Sequence, residues 1–209
     1  MMSRKYESAI RDFTSSLKKP NAHSARAWTL AYRGDCYREL QQPADAIDDF
    51  SQALKLYPDF TYALEERGFA YEETRQFDLA LADYQHALRL DPNLGLVWYY
   101  EGLHYERTRD FEAARHAFRE AIRAFPKYLA AYIEAGYASS HLKDRDGAIA
   151  SFDAAIQINP QSAAAFGARG RFYRDEKEYD RALADLTTAI QLAPKQKGYS
   201  YSRGAHLSR

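Results

Sequence analysis

Residues 61–94 read TYALEERGFAYEETRQFDLALADYQHALRLDPNL, and this stretch decides the fold. Leu64, Gly68 and Tyr71 recur at helical spacing. After a break at Thr74–Gln76, the residues Phe77, Ala80, Leu81, Tyr84, Ala87 and Leu88 do so again. The stretch therefore predicts two helices. Asp91-Pro92 ends the second, because the residue before a proline is pushed out of the helical region. The proline is then expected to open the next helix, where its missing N–H is no loss. Gly68 needs a reason, since glycine inside a helix costs about 1 kcal/mol relative to alanine. The simplest is close approach, with the bare glycine facing a small alanine of the second helix.

The same punctuation runs along the whole chain. Gly34, Gly68, Gly102, Gly136, Gly170 and Gly204 step by 34 residues. In phase with the first five come Ala46, Ala80, Ala114, Ala148 and Ala182. Ala53, Ala87, Ala121, Ala155 and Ala189 follow, and then Pro58, Pro92, Pro126, Pro160 and Pro194. Five repeats result, at 27–60, 61–94, 95–128, 129–162 and 163–196. In the lead, 1–26, Tyr6, Ala9, Ile10, Phe13 and Leu17 fit the second helix of a partial repeat. The tail, 197–209, keeps Gly204 and Leu207 and reads as a lone first helix. The chain is thus either a piece of a longer array or an array capped by its tail, with Tyr199 and Tyr201 partly exposed.

Taken in register, the repeats resemble the tetratricopeptide repeat, whose signature is W-x2-L-G-x2-Y, then A-x3-F, then a late proline. The third repeat shows Trp98, Gly102, Tyr105, Ala114, Phe118 and Pro126, with Glu101 in place of the leucine. The first shows Leu30, Gly34, Tyr37, Ala46, Phe50 and Pro58. The fourth has Ser139 where tyrosine is usual, and the fifth has Leu186 in the aromatic place. The resemblance implies an all-α fold, a right-handed superhelical solenoid of antiparallel helix pairs with about twelve helices. It also implies a concave surface lined by the second, fifth, ninth and twelfth positions of each first helix.

Carried onto this sequence, those positions supply a candidate peptide-binding face. The first repeat contributes Trp28, Asp35 and Arg38, and the second Tyr62, Glu65, Phe69 and Glu72. The third contributes Tyr99, Leu103 and Glu106, the fourth Ile133 and Tyr137, and the fifth Arg171 and Arg174. The apolar members are expected to touch water, and an exposed apolar stripe marks an interface. Tyrosine and tryptophan are also the residue types enriched at binding hot spots. The first two repeats carry net charges of −3 and −4, against +4 for residues 1–26. The expected partner is a protein or peptide with hydrophobic and basic residues. The competing view is that the charges form an ordinary solvated face and the rings pack across adjacent first helices. The Lys/Asn clamp with which some family members hold acidic chaperone tails is absent: the corresponding positions read Ala31, Tyr32, Asp35, Glu65, Glu66 and Phe69.

Composition narrows the remaining classes. The 209 residues carry 29 basic and 29 acidic groups, a balance without the basic footprint of a nucleic-acid binder. No apolar run is long enough to insert in a membrane, and the charged first residues show no signal peptide. A cytoplasmic location is the expectation. Cys36 alone builds no disulfide framework and reads as a small core residue. The six histidines include no i, i+4 pair, so no metal or other cofactor is expected. Glu65/Glu66 and Glu72/Glu73 read as surface acids, so no catalytic residue is assigned. The expectation is a non-catalytic interaction scaffold, or else the recognition or regulatory region of a larger enzyme or complex. Self-association through open solenoid ends is a further possibility that the repeat pattern permits.

Overall fold

The computed structural model describes residues 2–19 and 22–194. These form eleven α-helices and no strand. Helix α1 spans Met2–Leu17. First and second helices of the repeats then alternate: α2 His23–Glu39 with α3 Pro43–Leu56, α4 Thr61–Glu73 with α5 Phe77–Leu90, and α6 Gly95–Arg107 with α7 Phe111–Ala124. The pairs α8 Leu129–His141 with α9 Arg145–Ile158 and α10 Ala163–Asp175 with α11 Tyr179–Leu192 complete the series. The architecture is a helical solenoid of helix pairs. The described residues fall into two compact halves, divided between Glu101 and Gly102. The expected tail helix, with Tyr199, Tyr201, Gly204 and Leu207, lies outside the described residues.

The glycine ladder has a different partner from the one expected. A Cβ on Gly68 would lie 2.3 Å from Cε1 of Tyr84, and one on Gly136 would lie 2.5 Å from Cε1 of Phe152. Gly34 likewise faces Phe50, and Gly170 faces Leu186. The glycine thus makes room for the large residue of the second helix, not for its alanine. One edge of the ring, from Cδ1 through Cε1 to Cζ, lies against the glycine, and the ring is sealed there: Phe50, Tyr84, Phe118 and Phe152 are all fully buried. The alanines serve the complementary role, with Ala46, Ala80, Ala114 and Ala148 also at 0% exposure.

The prolines are also displaced from their expected place. Pro58, Pro92, Pro126 and Pro160 sit in the turns, three residues ahead of the helices that begin at Thr61, Gly95, Leu129 and Ala163. They end one helix without opening the next.

Between the two helices of each repeat the chain turns through a residue with positive φ that is never glycine. These are Gln41, Arg75, Arg109, Lys143 and Lys177, at φ 59° to 65°. The following N–H closes each turn by donating back to the first helix, as Gln42 does to the Tyr37 carbonyl and Gln76 to that of Tyr71, at 2.9 and 2.8 Å. That bond is the signature of a Schellman cap, which satisfies carbonyls a helix end leaves bare.

A second device ties helices together. Arg33, Arg67 and Arg169 each stand one residue before the ladder glycine and grip Asp49, Asp83 and Asp185 through two hydrogen bonds of 2.7–2.8 Å. Their third nitrogen reaches the preceding second helix, at Thr14, Ser51 and Asp153 respectively. One planar guanidinium thereby joins three helices, a geometry lysine does not provide.

Candidate functional site

The first half presents a face built by α2 and α4. Positions two and six of a helical pair lie one turn apart, so Trp28 and Tyr32 stand side by side on α2, with ring centroids 5.4 Å apart. Tyr62 of α4 stacks on Trp28 at 5.6 Å and also meets Tyr32 at 6.4 Å. Phe60 closes the cluster from below, edge-on to Trp28 at 4.5 Å. Trp28 remains 42% exposed and Tyr32 46%, so the cluster is a surface and not a core.

Carboxylates border these rings. The Tyr62 hydroxyl donates to Oδ2 of Asp35 at 2.6 Å. Burial and this acidic partner raise the Tyr62 pKa, which keeps the hydroxyl protonated as a donor. Arg38 donates to Glu66 and Glu73 and lies over the Phe69 ring at 5.7 Å. Burial pushes Glu66 up to about 7 against the pull of Arg38, with Asp35 and Glu65 adding repulsion. Asp35 and Glu65 are raised too, chiefly by burial. Glu72 is half-buried on α4, and Tyr99 is half-buried on α6 with its ring 5.7 Å from Tyr100.

The second half carries its own first-helix face. Leu103 and Glu106 of α6 are half-buried, and burial raises the Glu106 pKa. Glu134 of α8 is pushed up to about 7 by burial and by Glu106, against the pull of Arg171. Arg171 donates to the Tyr137 hydroxyl and lies over that ring at 5.7 Å. Arg174 instead turns to its neighbour Asp175, bonding it at 2.9 Å.

Two of the expected water-facing residues are not exposed. Phe69 and Ile133 each retain 8% exposure. Phe69 is wedged between Tyr84 and Tyr100, at 5.7 and 4.8 Å. Ile133 packs in the cluster of Phe152 and Phe172. Phe69 stands at the ninth position of its repeat and Ile133 at the fifth, and each is drawn inward by the rings of neighbouring helices. The sixth position was missed as a lining position. It supplies Tyr32, Glu66 and Glu134, the last two next to the fifth-position residues Glu65 and Ile133 that the stripe did include.

Cys36 is buried, and burial raises its thiol, with Asp35 and Glu39 adding to the effect. That opposes formation of a reactive thiolate. No group of three or more metal-ligating side chains occurs among the described residues. No helix there is long and apolar enough to cross a membrane.

Comparison with known proteins agrees with the repeat geometry. Tetratricopeptide repeat family models match residues 27–60, 61–94, 99–163 and 143–197. The fold is similar to that of YrrB, a tetratricopeptide repeat protein with an unusual peptide-binding site. The TM-score is 0.78 at 20% identity, over 92% of this chain and 97% of that one. It is also similar to MamA, residue 41 to the end, from Desulfovibrio magneticus RS-1, with a TM-score of 0.77 at 16% identity over 85% and 100%. A tetratricopeptide repeat protein from Parabacteroides merdae ATCC 43184 gives 0.66 at 18% identity over 95% and 91%. At such identities the likeness is one of fold. No curated protein sequence matches the chain. With the ladder of glycines seated against large second-helix residues and the repeat models in register over most of its length, the chain belongs to the tetratricopeptide repeat family.

Proposed function

We propose that this protein is a non-catalytic scaffold that holds a peptide, or a segment of a partner protein, on the first-helix faces. The observation that carries this reading is the cluster of exposed Trp28 and Tyr32 with half-buried Tyr62, bordered by half-buried carboxylates. Large rings left partly in water supply contact area at small entropic cost, and a ligand that covers them recovers their apolar surface. The desolvated acids favour hydrophobic segments that carry basic groups and disfavour acidic ones. The peptide-binding site of YrrB, on a similar fold, supports the same use of the scaffold. On this reading Trp28, Asp35, Arg38, Tyr62, Glu65, Phe69, Glu72 and Tyr99 serve one half. Leu103, Glu106, Ile133, Tyr137, Arg171 and Arg174 serve the other, with Phe69 and Ile133 as buried supports.

The test is selection of short random peptides displayed on phage against the full chain. Peptides that enrich should lose capture by Tyr62→Ala/Tyr99→Ala while helix content is unchanged. Failure to enrich any peptide, or capture undiminished by the double substitution, overturns the reading.

A further inference from the structure

We propose that the α2–α4 face selects an arginine side chain in the segment it binds; this rests on the peptide-scaffold reading above. The first support is an imbalance of charge. One carboxylate oxygen of Asp35 accepts the Tyr62 hydroxyl, and the other is buried without a hydrogen bond. Glu65 is half-buried, and among the described residues it makes no hydrogen bond or ion pair. The neighbouring cation, Arg38, pulls on Asp35 through space, but its hydrogen bonds go to Glu66 and Glu73, and burial still holds the Asp35 pKa above its ordinary value. Negative charge has thus been drawn out of water here beyond what the protein neutralises. A bound cation supplies the missing partner, and an acidic segment is repelled.

The second support is the chemistry of the rings beside those acids. Trp28, Tyr32 and Tyr62 leave aromatic surface open next to Asp35. A guanidinium is flat and weakly hydrated, so it stacks on a ring while its N–H groups still reach a carboxylate. An ammonium group holds its water more strongly and has no plane to stack. The molecule already places its own arginines this way. Arg38 lies over Phe69 with two glutamates around it, and Arg171 lies over Tyr137 and donates to its hydroxyl. The rings of α2 and α4, with Asp35 bonded to Tyr62 and Glu65 one helical turn along α4 from Tyr62, offer the same combination without the guanidinium. The occupant that completes it is an arginine from outside.

The test uses a positional-scanning library of short peptides on the full chain, with arginine, lysine or citrulline fixed in turn at each place. Arginine should be favoured at one position over lysine and citrulline by about tenfold, the loss expected when a charge-assisted bond is removed. That preference should fall about as far in Glu65→Gln and Asp35→Asn. Glu65 makes no bond to break, so its variant keeps the fold, and matching helix content verifies this. Lysine or citrulline equal to arginine overturns the inference. A hydrophobic preference without a cation, unchanged in both variants, overturns it while leaving the scaffold reading intact. Absence of any preference at any position overturns both.

Discussion

The guanidinium of Arg67 donates two parallel hydrogen bonds of 2.7 Å to the carboxylate of Asp83, and its third nitrogen reaches Ser51 at 3.0 Å. Asp83 keeps only 6% of its surface in contact with water. Removing one member of such a pair strands the other charge, which costs more than the pair contributes. Asp83→Ala should therefore lower stability by about 3 kcal/mol. Arg67→Met combined with Asp83→Leu should cost much less. Urea denaturation of both single variants and the double variant measures this, and strictly additive losses would refute it.

The contact of Gly68 with Tyr84 gives a sharper test. An added methyl would sit 2.3 Å from a ring carbon that is sealed on all sides. Gly68→Ala should cost about 2 kcal/mol or more. Tyr84→Leu, matching the fifth repeat with Leu186, should restore part of the loss in the double variant. The Tyr84 hydroxyl is buried and forms no hydrogen bond among the described residues. Tyr84→Phe, matching Phe50, Phe118 and Phe152, should therefore raise stability by about 1 kcal/mol. Thermal and urea midpoints check both.

Arg75 and Lys143 adopt left-handed backbone at φ 60° and 62°, with exposed side chains. For a residue with a Cβ this costs about 1–2 kcal/mol. Glycine removes the strain but loosens the unfolded chain by about 0.4–1 kcal/mol. Arg75→Gly and Lys143→Gly should each stabilise by a few tenths to about 1 kcal/mol. Valine at either place should destabilise. Opposite signs for the two substitutions in thermal melts would support the strain; equal signs would refute it.

The fold was legible because its spacing is a consequence of packing. A glycine in a helix needs a close neighbour, and the 34-residue recurrence shows that the neighbour also recurs. The identity of that neighbour was less visible. Alanine and the large residue both repeat in phase with glycine, and only the path of the second helix decides which lies against it. The Arg–Asp links were present as a signal that went unread. Arg33, Arg67 and Arg169 stand sixteen residues before Asp49, Asp83 and Asp185, and the third and fourth repeats change both members together, to Glu101 with Ala117 and Ala135 with Ser151. The burial of Phe69 and Ile133 was hidden for another reason. A stripe on one helix says nothing about how closely its neighbours approach, and the rings that cover Phe69, at position nine, and Ile133, at position five, come from other helices.

Glu134 connects stability with pH. Burial and the facing Glu106 push it up to about 7 from the ordinary glutamate value of 4.5. The folded protein therefore holds a proton there at pH values where the unfolded chain has lost it. Because the native state binds more protons across that window, stability falls as pH rises from about 4.5 to about 7 and stays lower above it. Glu134→Gln removes the charge while keeping the side chain's shape. It should raise the denaturation midpoint above about pH 7 and flatten the slope between pH 4.5 and 7, with little change below that window. Midpoints measured across the range decide it, and a wild-type curve that rises with pH while the variant's does not would reverse the sign and refute the assignment. Glu66, also pushed up to about 7, extends the argument to binding. A basic peptide on the α2–α4 face should bind more weakly as pH falls through about 7, because protonation of Glu66 lowers the negative charge of that face and leaves the Arg38 charge less compensated beside Asp35 and Glu65. Fluorescence anisotropy of an arginine-bearing peptide checks this, with Glu66→Gln expected to remove most of the pH dependence.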